Sequence, residues 1–190
     1  VPTVYLPEQV EVVEHSWPSD GVARPLLATV GGSRITVVPR LFYHRGGSDI
    51  AICCRREQRP DFYTEYISGV KEYRIHVALW YITGENGTPI ICSQRKLVNA
   101  DEHSRERSFD AVWPRNHANG FTFRTFTPEF LDSPLYTNAV NAVRALGLDF
   151  GAVDVIQSPG DNPRYYVLEV NTAPGTETPS VLAFYAKAFA

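Results

Sequence analysis

The sequence contains no methionine among its 190 residues and only three cysteines. It also begins at Val1, so we expect a fragment or a processed product of a longer protein. Cys53, Cys54 and Cys92 are odd in number and lack the spacing of zinc ligands, which argues against a zinc site or a disulfide framework. The sequence therefore predicts reduced thiols in a cytoplasmic protein.

The chain also lacks the charge and hydropathy patterns of a nucleic-acid-binding or membrane protein. Its formal net charge is −3, so no excess of basic residues would attract nucleic acid or an anionic membrane surface. No apolar run approaches the length of a transmembrane helix, and no secretory signal is present. The composition, with 44% hydrophobic and 21% charged residues, is typical of a globular chain that folds as one domain or two small lobes.

Three side chains with oxygen ligands lie on two apolar segments near the C-terminus. Asp154 interrupts the apolar run 146–156, whereas Glu169 and Asn171 are two residues apart and share one face of a strand. The segment 157–164 is rich in Pro, Gly, Asp and Asn and predicts a turn, so antiparallel strands would bring Asp154 beside the other two. Hard oxygen ligands suit Mg²⁺ carrying a nucleotide. The alternative is an ordinary polar face on a hairpin.

Segments 151–155 (Gly-Ala-Val-Asp-Val) and 168–175 (Leu-Glu-Val-Asn-Thr-Ala-Pro-Gly) resemble the C-terminal signature of the ATP-grasp superfamily. This superfamily includes D-alanine–D-alanine ligase and the ribosomal-protein glutamate ligase. Its Asp and Glu-x-Asn residues hold Mg²⁺ on the ATP phosphates. The resemblance implies ATP as cofactor, with Mg²⁺ or Mn²⁺ bound by Asp154, Glu169 and Asn171.

A second segment, 62–77, is similar to the hinge of that family and the strand that follows it. Glu72, Arg74 and His76 alternate along the predicted strand and share one face, where an acid and a base could bind a polyol and a phosphate together. The alternative is a cross-strand ion pair. The resemblance assigns the ribose hydroxyls to Glu72. It assigns the adenine to the backbone of Glu65, Tyr66 and Ile67.

Residues 22–35 predict a strand, a glycine-rich turn and a second strand. Backbone N–H groups in such a turn can bind phosphate oxygens, although a Gly-Gly pair is more often a simple hairpin turn. The family usually places Lys before a proline here, and this sequence has Arg, which can also pair with phosphate. The phosphate-binding residues implied are Arg24, Gly31, Gly32 and Ser33.

A basic cluster around residues 95–96 and 113–120 loosely resembles the segment that faces the γ-phosphate and the substrate in peptide-ligating members. Positive charge there could stabilise an acyl-phosphate and its transition state. The alternative is a solvated basic surface. Together with the strand residue Arg74, the catalytic residues implied are Arg95, Arg115 and Asn116.

The predicted fold class is α+β, because strands and helices alternate without a regular βαβ rhythm. A helix is expected over 135–146, capped by Ser133, with Pro134 at its first position and Gly147 after its end. A shorter helix is expected at 48–57. The resemblance implies two lobes with the nucleotide bound between antiparallel sheets. These would be a first lobe at 1–67, truncated and lacking the usual separate N-terminal domain, and a second lobe at 68–190 that carries the metal site.

These features together predict an ATP- and Mg²⁺-dependent ligase that joins a carboxylate to an amine or thiol through an acyl-phosphate. The alternatives are a kinase-like phosphotransferase of the same fold and a truncated, non-catalytic ATP-binding module. The expected partners are small-molecule or peptide carboxylates and amines, without nucleic acid or membrane, and self-association is compatible with the sequence. The segments around Glu65 and Glu72 are most similar to compact bacteriophage members, which would place the chain in a host cytoplasm.

Overall fold

The computed structural model is an α+β protein with two antiparallel five-stranded sheets, as predicted. It describes residues 1–14, 25–42, 53, 59–69, 71–81, 87–98, 115, 120–127, 133–175 and 178–190. The chain divides into two compact units, one with residues 2–67 and 98–122 and the other with residues 1, 68–97 and 123–190. The predicted boundary of two lobes at residue 67 stays a prediction.

The first unit contains a sheet built from the N-terminal third of the chain. Its strands are β1 (Val4–Tyr5), β2 (Glu11–Glu14), β3 (Leu26–Val30), β4 (Ser33–Arg40) and β5 (Phe62–Glu65), in the order β1-β5-β4-β3-β2. A short 3-10 helix separates β1 from β2. The hairpin between β3 and β4 has two turn residues, Gly31 and Gly32, with φ of 54° and 82°. Both angles are in the left-handed region that glycine adopts without steric cost.

Most of the second five-stranded sheet belongs to the second unit. Its strands are β6 (Lys71–Ala78), β7 (Ile90–Val98), β8 (Phe121–Phe126), β9 (Phe150–Gln157) and β10 (Tyr165–Asn171), in the order β10-β9-β6-β7-β8. Strands β6 and β9 pair along their whole length. Strands β9 and β10 form the predicted hairpin, closed by a 2.8 Å hydrogen bond from Ser158 N–H to the carbonyl of Arg164.

Helix α1 (Pro134–Ala145) packs on one face of this second sheet. It starts at the predicted proline, but the Ser133 side chain makes no capping hydrogen bond, so that part of the prediction was wrong. At its end Gly147 has φ of 65°, and its N–H donates to the carbonyl of Arg144 at 3.0 Å. This turn lets the chain reverse after the helix. The fully buried side chains beneath α1 are Ile75, Val77, Val153 and Val155.

Helix α2 (Pro179–Phe189) packs on the opposite face of the same sheet. Its buried residues Val181, Tyr185 and Ala188 contact Ala78 and Cys92, at one end of strands β6 and β7. Neither α2 nor β8 was predicted from the sequence. The helix expected at 48–57 lies outside the described residues, apart from position 53. Among the described residues, no helix is long and apolar enough to cross a lipid bilayer.

Candidate functional site

Polar side chains from four adjacent strands form a row across the face of the second sheet that also carries α2. Glu169 on β10 is paired in register with Asp154 on β9, which is paired with Arg74 on β6, which is paired with Gln94 on β7. We call these four residues the site row. Since residues paired across antiparallel strands point to the same face, the row is a direct consequence of strand register.

Arg74 and Asp154 form a bidentate ion pair at the centre of the site row. Arg74 Nε donates to Asp154 Oδ1 at 2.7 Å, and Nη2 donates to Oδ2 at 2.8 Å. Burial raises the pKa of Asp154, and the hydrogen bonds and charge of Arg74 offset part of that rise. Burial lowers the pKa of Arg74, but the hydrogen bonds and charge of Asp154 outweigh it and the pKa is raised. Both side chains are therefore held by their mutual contact.

A β-bulge in β10 turns the predicted metal ligands towards this face. The register shifts between Val167, which faces Val155 and packs into the core under α1, and Glu169, which faces Asp154. In a regular strand Val167 and Glu169, two residues apart, would point in the same direction, and the bulge at Leu168 puts them on opposite faces. Beyond the bulge Asn171 shares the face of Glu169, and its Nδ2 donates to Glu169 Oε1 at 3.0 Å.

A second ion pair lies on the same face, next to the site row. Lys96 Nζ donates to Glu72 Oε2 at 2.5 Å, with 14% and 11% of the two side chains exposed. The Phe123 ring from β8 lies over both cations, 4.3 Å from Arg74 Cζ and 5.1 Å from Lys96 Nζ. An aromatic ring at these distances stabilises a cation by its quadrupole. Glu72 thus has the cross-strand ion pair considered from the sequence, and its predicted contact with ribose stays a prediction.

His76 connects the site row to helix α2. Its ring is fully buried, with Nε2 2.9 Å from Gln94 Oε1 and Nδ1 2.8 Å from the Tyr185 hydroxyl. Because an amide oxygen only accepts, Nε2 carries the hydrogen and Nδ1 accepts from Tyr185. Burial lowers the pKa of His76, and the hydrogen bond to Gln94 offsets only part of this effect. The imidazole is therefore neutral at pH 7 and positions Gln94.

The remaining predicted residues of the second unit do not all join this face. Arg95 is paired in register with Tyr73 and is exposed on the opposite face from Arg74. Lys96, the next residue of β7, is the basic side chain that lies on the same face as the site row. The described residues contain no cluster of three or more His, Cys, Asp or Glu side chains that could hold a metal ion. The predicted metal set consists of two carboxylates and one amide.

Other predicted residues lie in the first unit. The N–H groups of Glu65 and Tyr66 donate to the carbonyls of Thr3 and Thr36, both at 2.8 Å, so they are used within that unit. Glu65 Oε2 also accepts from the Thr3 hydroxyl at 3.1 Å. Ile67 follows strand β5, and Ser33 begins β4 directly after the Gly31–Gly32 turn. Arg115 belongs to the same unit. Arg24 and Asn116 lie outside the described residues.

Three residues of the site face were missed by the sequence analysis. Phe123 belongs to the segment Phe-Thr-Phe-Arg, whose alternation of apolar and polar residues indicates a strand. Tyr185 lies on α2, which starts at Pro179 directly after Thr178, and this pair is typical of a helix start. Gln94 carries no such signal, because its place depends on the register of β6 and β7.

No protein-family model matches the chain, and no curated protein matches it. Solved structures of ATP-grasp ligases are similar to it. The ATP-grasp ligase PsnB, in complex with a phosphomimetic variant of its minimal precursor, Mg and ADP, is 17% identical, with a TM-score of 0.43 over 80% of this chain and 46% of PsnB. The macrocyclase MdnC from Microcystis aeruginosa, bound with the precursor peptide MdnA, is 15% identical, with a TM-score of 0.42 over 80% and 47%.

A further similar structure is a RiPP-associated ATP-grasp ligase from Chryseobacterium gregarium, in complex with ADP and a leader and core peptide. It is 15% identical, with a TM-score of 0.36 over 88% of this chain and 42% of that chain. The chain thus spans about half the length of the solved structures it matches. Two of these three structures, PsnB and the Chryseobacterium gregarium protein, are described as ATP-grasp ligases.

Proposed function

We propose that this chain is an ATP- and Mg²⁺-dependent ligase of ATP-grasp type, which joins a carboxylate to an amine through an acyl-phosphate. The observation that carries the proposal is the site row. It places Asp154 opposite Glu169, with Asn171 on the same face and Arg74 in contact. Two carboxylates, an amide and a guanidinium on one face can bind a metal nucleotide and a transferring phosphoryl group.

The donor chemistry of this face fits a divalent cation. Asp154 supplies two carboxylate oxygens, which in this structure accept hydrogen bonds from Arg74. Asn171 donates its amide nitrogen to Glu169, so its oxygen is the atom that could bind a metal. Bound there, Mg²⁺ would neutralise charge on the ATP phosphates. Asp154, Glu169 and Asn171 are therefore the residues that we propose as its ligands.

The other residues in this proposal position the reactants. Arg74 would pair with a phosphate oxygen, since its planar guanidinium can bind carboxylate and phosphate in the same bidentate way. A substrate carboxylate then attacks the γ-phosphorus, ADP leaves, and an amine displaces phosphate from the acyl-phosphate. The protein supplies alignment and charge rather than covalent chemistry. Further contacts remain predictions: Glu72 for the ribose, Glu65, Tyr66 and Ile67 for the adenine, and Arg24, Gly31, Gly32, Ser33, Arg95, Arg115 and Asn116 for phosphates and substrate.

The proposal is tested with Glu169→Gln, which keeps side-chain volume but removes a negative charge from the metal set. Release of ADP and phosphate from ATP and Mg²⁺ is measured with mixtures of amino acids and peptides as acceptors, or as background hydrolysis. Glu169→Gln should remain folded and retain some ATP binding, yet lose most acceptor-dependent ADP release, because the metal acts most strongly on the transition state. Glu11→Gln, the same substitution at an exposed position on β2, is the charge-matched control.

The products separate the alternatives. A ligase releases ADP and phosphate with a coupled product, a kinase-like enzyme transfers phosphate to its acceptor, and a binding module releases neither. If Glu169→Gln turns over ATP as fast as the parent chain, the site row is not the catalytic metal site and the ligase proposal fails.

A further inference from the structure

The centre of the site row carries more negative than positive charge, and its one cation is already paired. Glu169 and Asp154 contribute two negative charges and Arg74 one positive charge, while Lys96 and Glu72 neutralise each other beside them. The guanidinium of Arg74 uses both oxygens of Asp154 at hydrogen-bond distance. The position that a cation would take next to Asp154 is thus held by a cation that the chain itself supplies.

We infer that Arg74 is an internal counter-cation of the site row, which a divalent metal ion displaces from Asp154 so that the guanidinium becomes available to an anion. The inference rests on the proposed function, because it takes Asp154 and Glu169 as metal ligands. A divalent ion neutralises the two carboxylates, and Arg74 then has no counter-charge in the row. Repulsion between the ion and Arg74 makes metal alone bind weakly, and an anionic ligand removes that repulsion.

The surroundings of Arg74 support this exchange. Lys96 cannot take over the role of counter-cation without leaving Glu72, to which it is bound. Phe123 lies over the guanidinium at 4.3 Å and can hold the cation after its contact with Asp154 is lost. Metal and polyphosphate should therefore bind with positive cooperativity. Metal alone should bind more tightly when Arg74 is replaced, and polyphosphate alone should bind more tightly when Asp154 is replaced.

The first experiment measures Mn²⁺ binding to the full chain by electron paramagnetic resonance, without nucleotide. Arg74→Gln should raise Mn²⁺ affinity about tenfold or more, because a fixed unit charge within contact distance of the ion is removed. Arg74→Lys keeps the charge but loses the bidentate contact and should give a smaller increase. Arg124→Gln removes the same charge from an exposed site and should leave the affinity within about twofold of the parent value, given solvent screening. Circular dichroism melts confirm that each variant is folded.

The second experiment measures binding of tripolyphosphate without any metal by calorimetry, and it does not depend on the folding of the Arg74 variants. Asp154→Asn releases Arg74 and should raise tripolyphosphate affinity about tenfold, whereas Asp149→Asn, a change of equal charge before β9, should not. If the parent binds Mn²⁺ but Arg74→Gln binds it equally or more weakly, the counter-cation role is overturned while the metal site stands. If parent and Arg74→Gln both fail to bind millimolar Mn²⁺, the metal site itself is refuted and the inference with it.

Discussion

Removing one partner of the ion pair between Glu72 and Lys96 should cost much of the protein's stability, because both side chains are nearly buried. Only 14% of the Lys96 side chain and 11% of the Glu72 side chain are exposed. Breaking such a pair leaves an uncompensated buried charge, so Lys96→Met should cost about 3–5 kcal/mol in the free energy of unfolding. A solvent-exposed pair would cost about 0–1 kcal/mol. Urea unfolding can distinguish these two changes in the free energy of unfolding.

A double-mutant cycle isolates the pair from the loss of packing. Glu72→Gln combined with Lys96→Met removes both charges, and it should be about 2 kcal/mol or more closer to the parent than the sum of the single changes, because neither charge is left unpaired. Arg95→Met, an exposed change at the neighbouring position of the same strand, should alter stability by less than about 0.5 kcal/mol. A cost below about 1 kcal/mol for Lys96→Met would refute the reasoning from burial.

The same double variant tests the predicted ribose contact without the loss of fold that a single Glu72 substitution risks. If the Glu72 carboxylate accepts hydrogen bonds from a nucleoside, the folded double variant should lose about 1–3 kcal/mol of ATP-binding free energy, measured by calorimetry with Mg²⁺. Unchanged affinity in that folded variant would assign Glu72 to the ion pair alone.

Three further predictions concern packing and protonation. A Cβ on Gly69 would lie 2.2 Å from Ile156 Cγ1, so Gly69→Ala should cost about 1–3 kcal/mol in urea unfolding, and Ile156→Ala in the same chain should give a coupling energy that offsets part of this. Phe123→Leu removes the ring over Arg74 and Lys96 and should cost about 0.5–2 kcal/mol of ATP-binding free energy, whereas Phe126→Leu on the opposite face should not. Burial lowers the pKa of His76, so the unfolded chain binds its proton more readily. Stability should therefore fall as the pH drops below about 6.5, by at most about 1.4 kcal/mol per pH unit, and His76→Gln should flatten that part of the urea-derived curve.

The elements with strong local signals were predicted correctly from the sequence. Helix α1 starts at Pro134 and ends before Gly147, because a proline at the first position and a left-handed glycine after the last turn act within one turn of chain. The hairpin of β9 and β10 was also predicted, since its turn residues separate two apolar runs. The alternation of polar and apolar residues along β6 likewise placed Glu72, Arg74 and His76 on one face.

What the sequence could not specify depends on register and on bulges. The pairing of Asp154 with Arg74 requires β6 to lie next to β9, although these strands are separated by about half of the second unit's sequence. No glycine or proline at Leu168 indicates the bulge in the sequence. The bulge nevertheless moves the residues after it to the opposite face of the sheet. Arg95 and Lys96 are consecutive on β7, so their side chains point to opposite faces of the sheet. Only the strand register determines that Lys96, and not Arg95, lies on the face of the site row.

Burying the charged side chains of the site row inside a sheet costs desolvation free energy. On the same face Val181 and Tyr185 of α2 pack on an apolar end of the strands. Part of this face is therefore already buried by apolar packing. Replacing a buried ion pair with well-packed apolar residues is often neutral or stabilising. Stability alone therefore gives no reason to keep Arg74 and Asp154 in the middle of the sheet. A role in exchanging internal charges for those of a bound ligand does give one, and it accounts for the basic partner that Asp154 and Glu72 each have in contact.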